Sequence, residues 1–146
     1  MIGIIDYGLG NISAFKNIYK ELNRKLLIIN EPSLLNQVDK LILPGVGSFD
    51  WAIESLNKSG LRFALEKFVI EEKKPIIGIC VGMQIMADSS EEGNEKGLSW
   101  INGKIKKFIN NEAEDKYLPL PHMGWNEVIF SKHAISRGIE ESSFYF

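Results

Sequence analysis

Apolar residues recur along this chain with two different spacings. Ile2 to Ile5 form a short unbroken apolar run that ends at Asp6, the pattern of a strand buried on both faces. From Ile12 to about Leu22 the spacing changes: Ile12, Phe15, Ile18, Tyr19 and Leu22 recur at helical intervals and predict a one-sided helix. Lys25 to Ile29 reads as a second strand, Pro32 to Val38 as a short connecting helix or turn, and Lys40 to Leu43 as a third strand broken by Pro44. Trp51 to Lys58 and Leu61 to Ile70 return to the helical spacing and are split by Ser59-Gly60. After the solvated run Glu71 to Lys74, the apolar stretch Pro75 to Ile79 predicts a fourth strand, and Met83, Ile85 and Met86 follow at helical positions. Strands alternating with helices predict an α/β fold, an open, mostly parallel sheet with helices on both faces.

Beyond Met86 the pattern weakens. Ala87 to Lys96 is polar and acidic and reads as a surface loop, Lys104 to Ile109 roughly alternates, Asn110 to Lys116 is polar again, and Glu127 to Phe130 is a short strand. These later pieces are expected to be antiparallel additions to the sheet. The 146 residues are one domain's worth of chain, read as residues 1–146 of a single, incomplete domain.

Charge adds little. Net charge is −2, with no basic block, so neither nucleic acid nor a membrane surface is suggested as a partner. The single cysteine excludes an internal disulfide and suits a reducing compartment, and no signal peptide or long apolar segment precedes the first strand, so the cytoplasm is expected. One cysteine and two separated histidines do not make a metal site, and no cofactor is implied.

The cysteine changes the picture. In Gly78-Ile79-Cys80-Val81-Gly82 it stands between the fourth strand and a helix, with glycines two before and two after. A side chain on such a sharp strand-to-helix turn is pushed out at the carboxyl edge of the sheet, and glycines let the backbone bend there without clashing. The adjoining helix start favours a thiolate and offers N–H groups to a developing oxyanion. The competing reading is a core cysteine; the glycine bracket between strand and helix favours the nucleophile. A base is harder to find. His122, between Pro121 and Met123, is either a partner for Cys80 or a loop-holding residue, and His133 reads as exposed. Gly8 and Gly10 after the first strand fall short of a dinucleotide fingerprint, because Ser13 stands where a third glycine would be. That turn instead presents Asn11 to a neighbour. The Pro44-Gly45-Val46-Gly47 loop is either ordinary turn chemistry or a cradle of N–H groups.

Four blocks together resemble the class I (triad-type) glutamine amidotransferases, most closely the glutaminase subunits of imidazole glycerol phosphate synthases. They are Ile5 to Asn11 (IDYGLGN), Leu43 to Phe49 (LPGVGSF), Gly78 to Gln84 (GICVGMQ) and Pro121 to Asn126 (PHMGWN). The third is typical of the whole superfamily and the other three of this subunit type. The resemblance implies that Cys80 attacks the side-chain amide of glutamine, releasing ammonia and leaving a thioester for water to hydrolyse. It implies oxyanion donors from the Gly45, Val46 and Gly47 loop and from the Val81 N–H, with Gln84 holding substrate. It places Asn11 and Trp125 near a cyclase/synthase subunit built as a (β/α)₈ barrel, in a heterodimer that combines hydrolase and lyase steps of histidine biosynthesis, and makes His122 part of a structural interface motif. The family's catalytic histidine and glutamate follow in a Q-F-H-P-E-type block with no counterpart up to Phe146. The chain therefore looks C-terminally truncated, and a polypeptide ending at Phe146 is expected to lack useful activity. Asn102, where the family usually has proline, and Trp100, where a smaller aliphatic is common, are lesser departures.

Three other functions stay open. A paralogous subunit would feed ammonia to a synthase modifying a surface-polysaccharide sugar. A non-catalytic fragment would keep the partner surface without the triad. A thiol hydrolase of the same fold would act on peptides, against which Gln84 and the Tyr7-to-Asn11 block argue.

Overall fold

The computed structural model describes residues 1–108, 122–130, 136–138 and 141–145. They fall into two compact units, Met1–Lys107 and Phe108–Phe146.

The first unit is built on four parallel strands in the order β2-β1-β3-β4: β1 (Ile2–Ile5), β2 (Leu26–Ile29), β3 (Lys40–Gly45) and β4 (Ile76–Cys80). Helix α1 (Ile12–Glu21) links β1 to β2, and a 3₁₀ turn over Pro32–Gln37 leads into β3. Helix α2 (Phe49–Lys58) follows β3, and α3 (Arg62–Glu66) runs on as a π-helical turn over Lys67–Glu71 before β4. Alternation along the strands divides the two faces. Ile5, Ile29, Leu41 and Leu43 enter one core with Phe49, Ile53, Leu56, Leu61 and Leu65, whereas Ile4 and Ile42, one position out of phase, are buried outside it. The second face is the thinner one. No side chain of α1 is fully buried, and Ile18 and Leu22 stay exposed, as does Ile77 on the edge strand β4.

Pro44 does not break β3, contrary to the sequence reading. The β1–β3 ladder ends at the Ile4–Ile42 pair, while β3 continues beside β4 through Pro44–Ile79 and Gly45–Cys80. The missing N–H of Pro44 points to the side where pairing has already stopped, so nothing is lost.

The 87–96 stretch is also more ordered than its polarity suggests. It contains β5 (Ser89–Ser90), which pairs in parallel with β6 (Lys104–Ile105), and Ser90 is buried. The alternating stretch from Lys104 therefore yields two strand residues in a parallel pair, not a longer antiparallel strand. Trp100 packs against the main core. Acidic side chains tie this region down: Asp88 accepts from Gly103 N at 2.9 Å and Glu91 from Lys107 N at 3.1 Å.

In the second unit β7 (Trp125–Ile129) and β8 (Glu141–Tyr145) form an antiparallel pair with Trp125 opposite Tyr145 and Ile129 opposite Glu141. The strand begins two residues earlier than the sequence pattern predicts and ends one residue earlier, at Ile129; its start is supported by Trp125, whose ring meets Tyr145 edge-on at 5.8 Å between ring centres. Among the described residues no helix is long and apolar enough to cross a membrane.

Candidate active site

The strand order reverses at β1: β2 lies on one side and β3 on the other, so the loops leaving the carboxyl ends of β1 and β3 diverge and open a crevice. An open groove of about 520 Å³ lies there, lined by Gly10, Asn11, Phe15, Pro44, Gly45, Val46 and Ile79. The residues singled out in the first unit collect around this end of the sheet.

Cys80 is the last residue of β4 and the residue before α4 (Val81–Gln84). Its backbone sits at φ +55°, ψ −125°, a conformation that side chains other than glycine's seldom adopt, and its thiol is exposed. The strain falls on the cysteine itself. Its bracketing glycines act by avoiding clashes, not through a positive φ of their own. A Cβ on Gly78 would lie 2.6 Å from Met83 N, and one on Gly82 would lie 2.8 Å from the Leu43 carbonyl carbon and 2.9 Å from that of Pro44. Both glycines let α4 lie directly on β3 and β4, and that packing holds the turn in its strained form. The helix is shorter than the spacing of Met83, Ile85 and Met86 suggests: it ends at Gln84, with Ile85 and Met86 buried just beyond.

Gly45 stands directly opposite Cys80 in the β3–β4 register. A Cβ on Gly45 would lie 2.5 Å from Gly82 N and 3.0 Å from the Tyr7 hydroxyl, so the loop that starts here is pressed against the turn that carries Cys80. Val46 and Gly47 are exposed, and Gly47 has φ +94° with open space around it. Val81 is buried as the first residue of α4. Gln84, at the end of α4, is half-buried. The structure thus brings Cys80, Gly45, Val81 and the Val46–Gly47 loop to one place.

Asn11 caps α1, its side-chain oxygen accepting from Ala14 N at 3.1 Å, while it also lines the groove. Trp125 belongs to the second unit, where it is exposed beside Tyr145. His122 is exposed there too, its ring 6.0 Å from that of Phe108. His133 lies outside the described residues. Among the described residues no three His, Cys, Asp or Glu side chains converge for a metal ion.

Two residues with structural consequences carry no signal of their own in the sequence. Tyr7, buried at the end of β1, donates to the Pro44 carbonyl at 2.8 Å. Burial, with the Cys80 charge adding to it, pushes its phenol up to about 12, so it remains a donor throughout the physiological range. Asp50, in the first turn of α2, accepts from Asn94 N at 3.0 Å and Glu95 N at 2.9 Å, fastening the 93–95 loop to the helix that follows the Pro44–Gly47 loop. These N–H donors hold its carboxyl below the usual carboxylate range. A depressed folded-state value stabilises above the unfolded value of about 3.9 and is lost as pH falls through the folded one. Asp50→Ala is expected to speed amide exchange at Asn94 and Glu95 by about tenfold at neutral pH. In the unsubstituted protein the same acceleration, beyond the intrinsic pH dependence, should appear only in acid; unchanged exchange in the variant would show that the carboxylate does not hold the loop.

The family model for class-I glutamine amidotransferases matches residues 4–144. Among curated relatives, the imidazole glycerol phosphate synthase subunit HisH of Leptospira interrogans is 50% identical over 88% of this chain and 62% of its own length. Subunit HisH of Leptospira borgpetersenii is 47% identical over 100% of this chain and 72% of its own, and subunit HisH 2 of Methanococcus maripaludis is 48% identical over 100% and 71%. The chain thus spans between three-fifths and three-quarters of these relatives. A crystal structure of a glutamine amidotransferase superposes with a TM-score of 0.69 at 16% identity, covering 99% of this chain and 69% of that one, which supports the fold.

Proposed function

Because this chain belongs to the class-I glutamine amidotransferase family, we propose that it is the glutaminase part of an imidazole glycerol phosphate synthase, releasing ammonia from glutamine for a cyclase subunit in histidine biosynthesis. One observation carries the reading. Cys80 is exposed at φ +55° on the turn between β4 and α4, with Gly45 of the neighbouring loop in register beside it.

The chemistry follows from that placement. The Cys80 sulfur attacks the carboxamide carbon of glutamine, and the carbonyl π electrons move onto oxygen. Val81 N–H, at the start of α4, and an N–H of the Gly45–Gly47 loop face the resulting oxyanion. Collapse of the tetrahedral adduct breaks the C–N bond; the leaving nitrogen takes a proton and departs as ammonia. Water then attacks the thioester, releasing glutamate and restoring the thiol. Gln84 lies at the end of α4, where it can orient the substrate. Proton transfer requires a base and its orienting carboxylate; His122, whose ring is tilted against that of Phe108 at 6.0 Å, is not assigned that role and is read instead as part of an interface motif. Ammonia in bulk water at neutral pH becomes ammonium, which is no nucleophile, so a dry route into a cyclase built as a (β/α)₈ barrel preserves it. Asn11 and Trp125 are the residues we assign to that contact, in a cytoplasmic heterodimer without a cofactor.

The test uses the full-length gene product co-purified with its synthase subunit. Glutamine-dependent product formation that disappears in Cys80→Ala, while supplied ammonia still supports the synthase, is expected. Glutamine turnover that persists in Cys80→Ala would overturn the assignment. Product formation with a sugar-modifying synthase alone would redirect it to the paralogous pathway.

A further inference from the structure

The Tyr7 hydroxyl occupies a position that neither catalysis nor a generic core explains. Tyr7 lies two residues past the end of β1, fully inside the main core, yet its one polar atom reaches across to β3 and donates to the Pro44 carbonyl at 2.8 Å. A tyrosine here satisfies a need created by the fold. The β1–β3 ladder ends at Ile42, so no backbone N–H of β1 pairs with the Pro44 carbonyl, and a buried carbonyl without a donor is unfavourable.

The consequence concerns the next peptide group. A trans peptide is planar, so the Pro44 carbonyl and the Gly45 N–H point in opposite directions. A carbonyl held toward Tyr7 turns the Gly45 N–H toward β4, the strand that ends at Cys80 and pairs Gly45 with it. Gly45 itself is squeezed between Gly82 N and the Tyr7 oxygen, at 2.5 Å and 3.0 Å from where a Cβ would stand. Beyond it, Val46 and Gly47 are exposed, with free space around Gly47. The loop is therefore rigid at its root and free further out, with Tyr7 at the boundary.

We propose that Tyr7 is a positioning residue for the glutaminase reaction: its hydroxyl clamps the Pro44–Gly45 peptide and so fixes the root of the oxyanion-binding loop beside Cys80. This rests on the functional reading above. It makes Tyr7 act on transition-state stabilisation through the loop, without touching substrate. Loss of the hydroxyl leaves the nucleophile and the substrate site in place but lets the donor drift, so it lowers kcat more than it raises KM.

Tyr7→Phe in the full-length protein, assayed with its synthase subunit, separates these effects. Expected are a fall in glutaminase kcat of about tenfold, a KM for glutamine within about twofold, and an unchanged rate of Cys80 alkylation by iodoacetamide. Alkylation needs the thiol and its turn but no oxyanion donor. A kcat within about twofold of the unsubstituted enzyme would overturn the clamp. So would a parallel fall in alkylation and kcat, because the hydroxyl would then support the fold as a whole. Tyr7→Leu, which removes the ring as well, provides the reference for such a packing defect and should lower both rates. If the unsubstituted enzyme shows no Cys80-dependent glutamine hydrolysis, the functional reading itself fails, an outcome distinct from a normal enzyme indifferent to Tyr7→Phe.

Discussion

Gly82→Ala should destabilise the first unit by about 3 kcal/mol or more and abolish reactivity at Cys80. The added methyl would run into the Leu43 carbonyl oxygen and lie 2.8 Å and 2.9 Å from the carbonyl carbons of Leu43 and Pro44. These are backbone atoms of a strand paired on both sides at Leu41 and Ile42, and they cannot swing away as the end of a long side chain would. Relief requires α4 to lift off the sheet, and the strained turn at Cys80 is held by that contact. A control isolates the cause. Gly60, just past the end of α2, has φ +74° and open space around it, so Gly60→Ala meets backbone strain without a clash and should lose only about 1 kcal/mol. Thermal denaturation of the two variants, with Cys80 alkylation as the local readout, checks the argument. If Gly82→Ala melts no lower than Gly60→Ala, close approach of α4 to β3 is not what the glycine provides.

The contrast between those glycines shows where sequence pattern stops being informative. Glycines on either side of Cys80 are visible in the sequence, and they point to a sharp turn. Their use as contact points depends on which strand α4 lies against, a long-range relation that no local spacing contains. Periodicity located the parallel strands and the first three helices because each has a continuous apolar face or run, as in Ile2 to Ile5 and Ile53 to Leu56 with Phe49. Pro44 misled for a related reason. A proline ends a strand only if its N–H is needed, and that need vanishes where the ladder to β1 has run out. The stretch from Ala87 to Lys96 reads as a surface loop, and its order is invisible in the sequence because it comes from carboxylates gripping backbone N–H groups: Asp50 on Asn94 and Glu95, Asp88 on Gly103 and Glu91 on Lys107. Acidic side chains on a loop and acidic side chains in solvent are identical in sequence. At the site, the motif blocks point to Cys80, Gly45 and Val81, whereas nothing local to Tyr7 indicates its hydrogen bond, since its partner lies 37 positions away.

Cys80→Gly should move activity and stability in opposite directions. Cys80→Ala and Cys80→Gly both remove the sulfur, and glutamine hydrolysis by the full-length enzyme is expected to fall by about 10⁴-fold or more in each. Their stabilities should differ. At φ +55°, ψ −125° any Cβ is strained, at about 1–3 kcal/mol, and alanine keeps the Cβ whereas glycine does not. Against this, glycine makes the unfolded chain more flexible, which offsets about 0.5–1 kcal/mol. The thiol is exposed, so little packing is lost by either change. Cys80→Gly should therefore be more stable than Cys80→Ala by about 1 kcal/mol, the difference between those two contributions. Chemical denaturation of the two variants measures that gap. Equal midpoints would mean that the turn relaxes once the sulfur is gone, and that the strained geometry belongs to the cysteine rather than to the packing of α4 on the sheet. A more stable glycine variant would mean that the scaffold imposes the strain, so this fold gives up stability to present an exposed thiol beside Gly45.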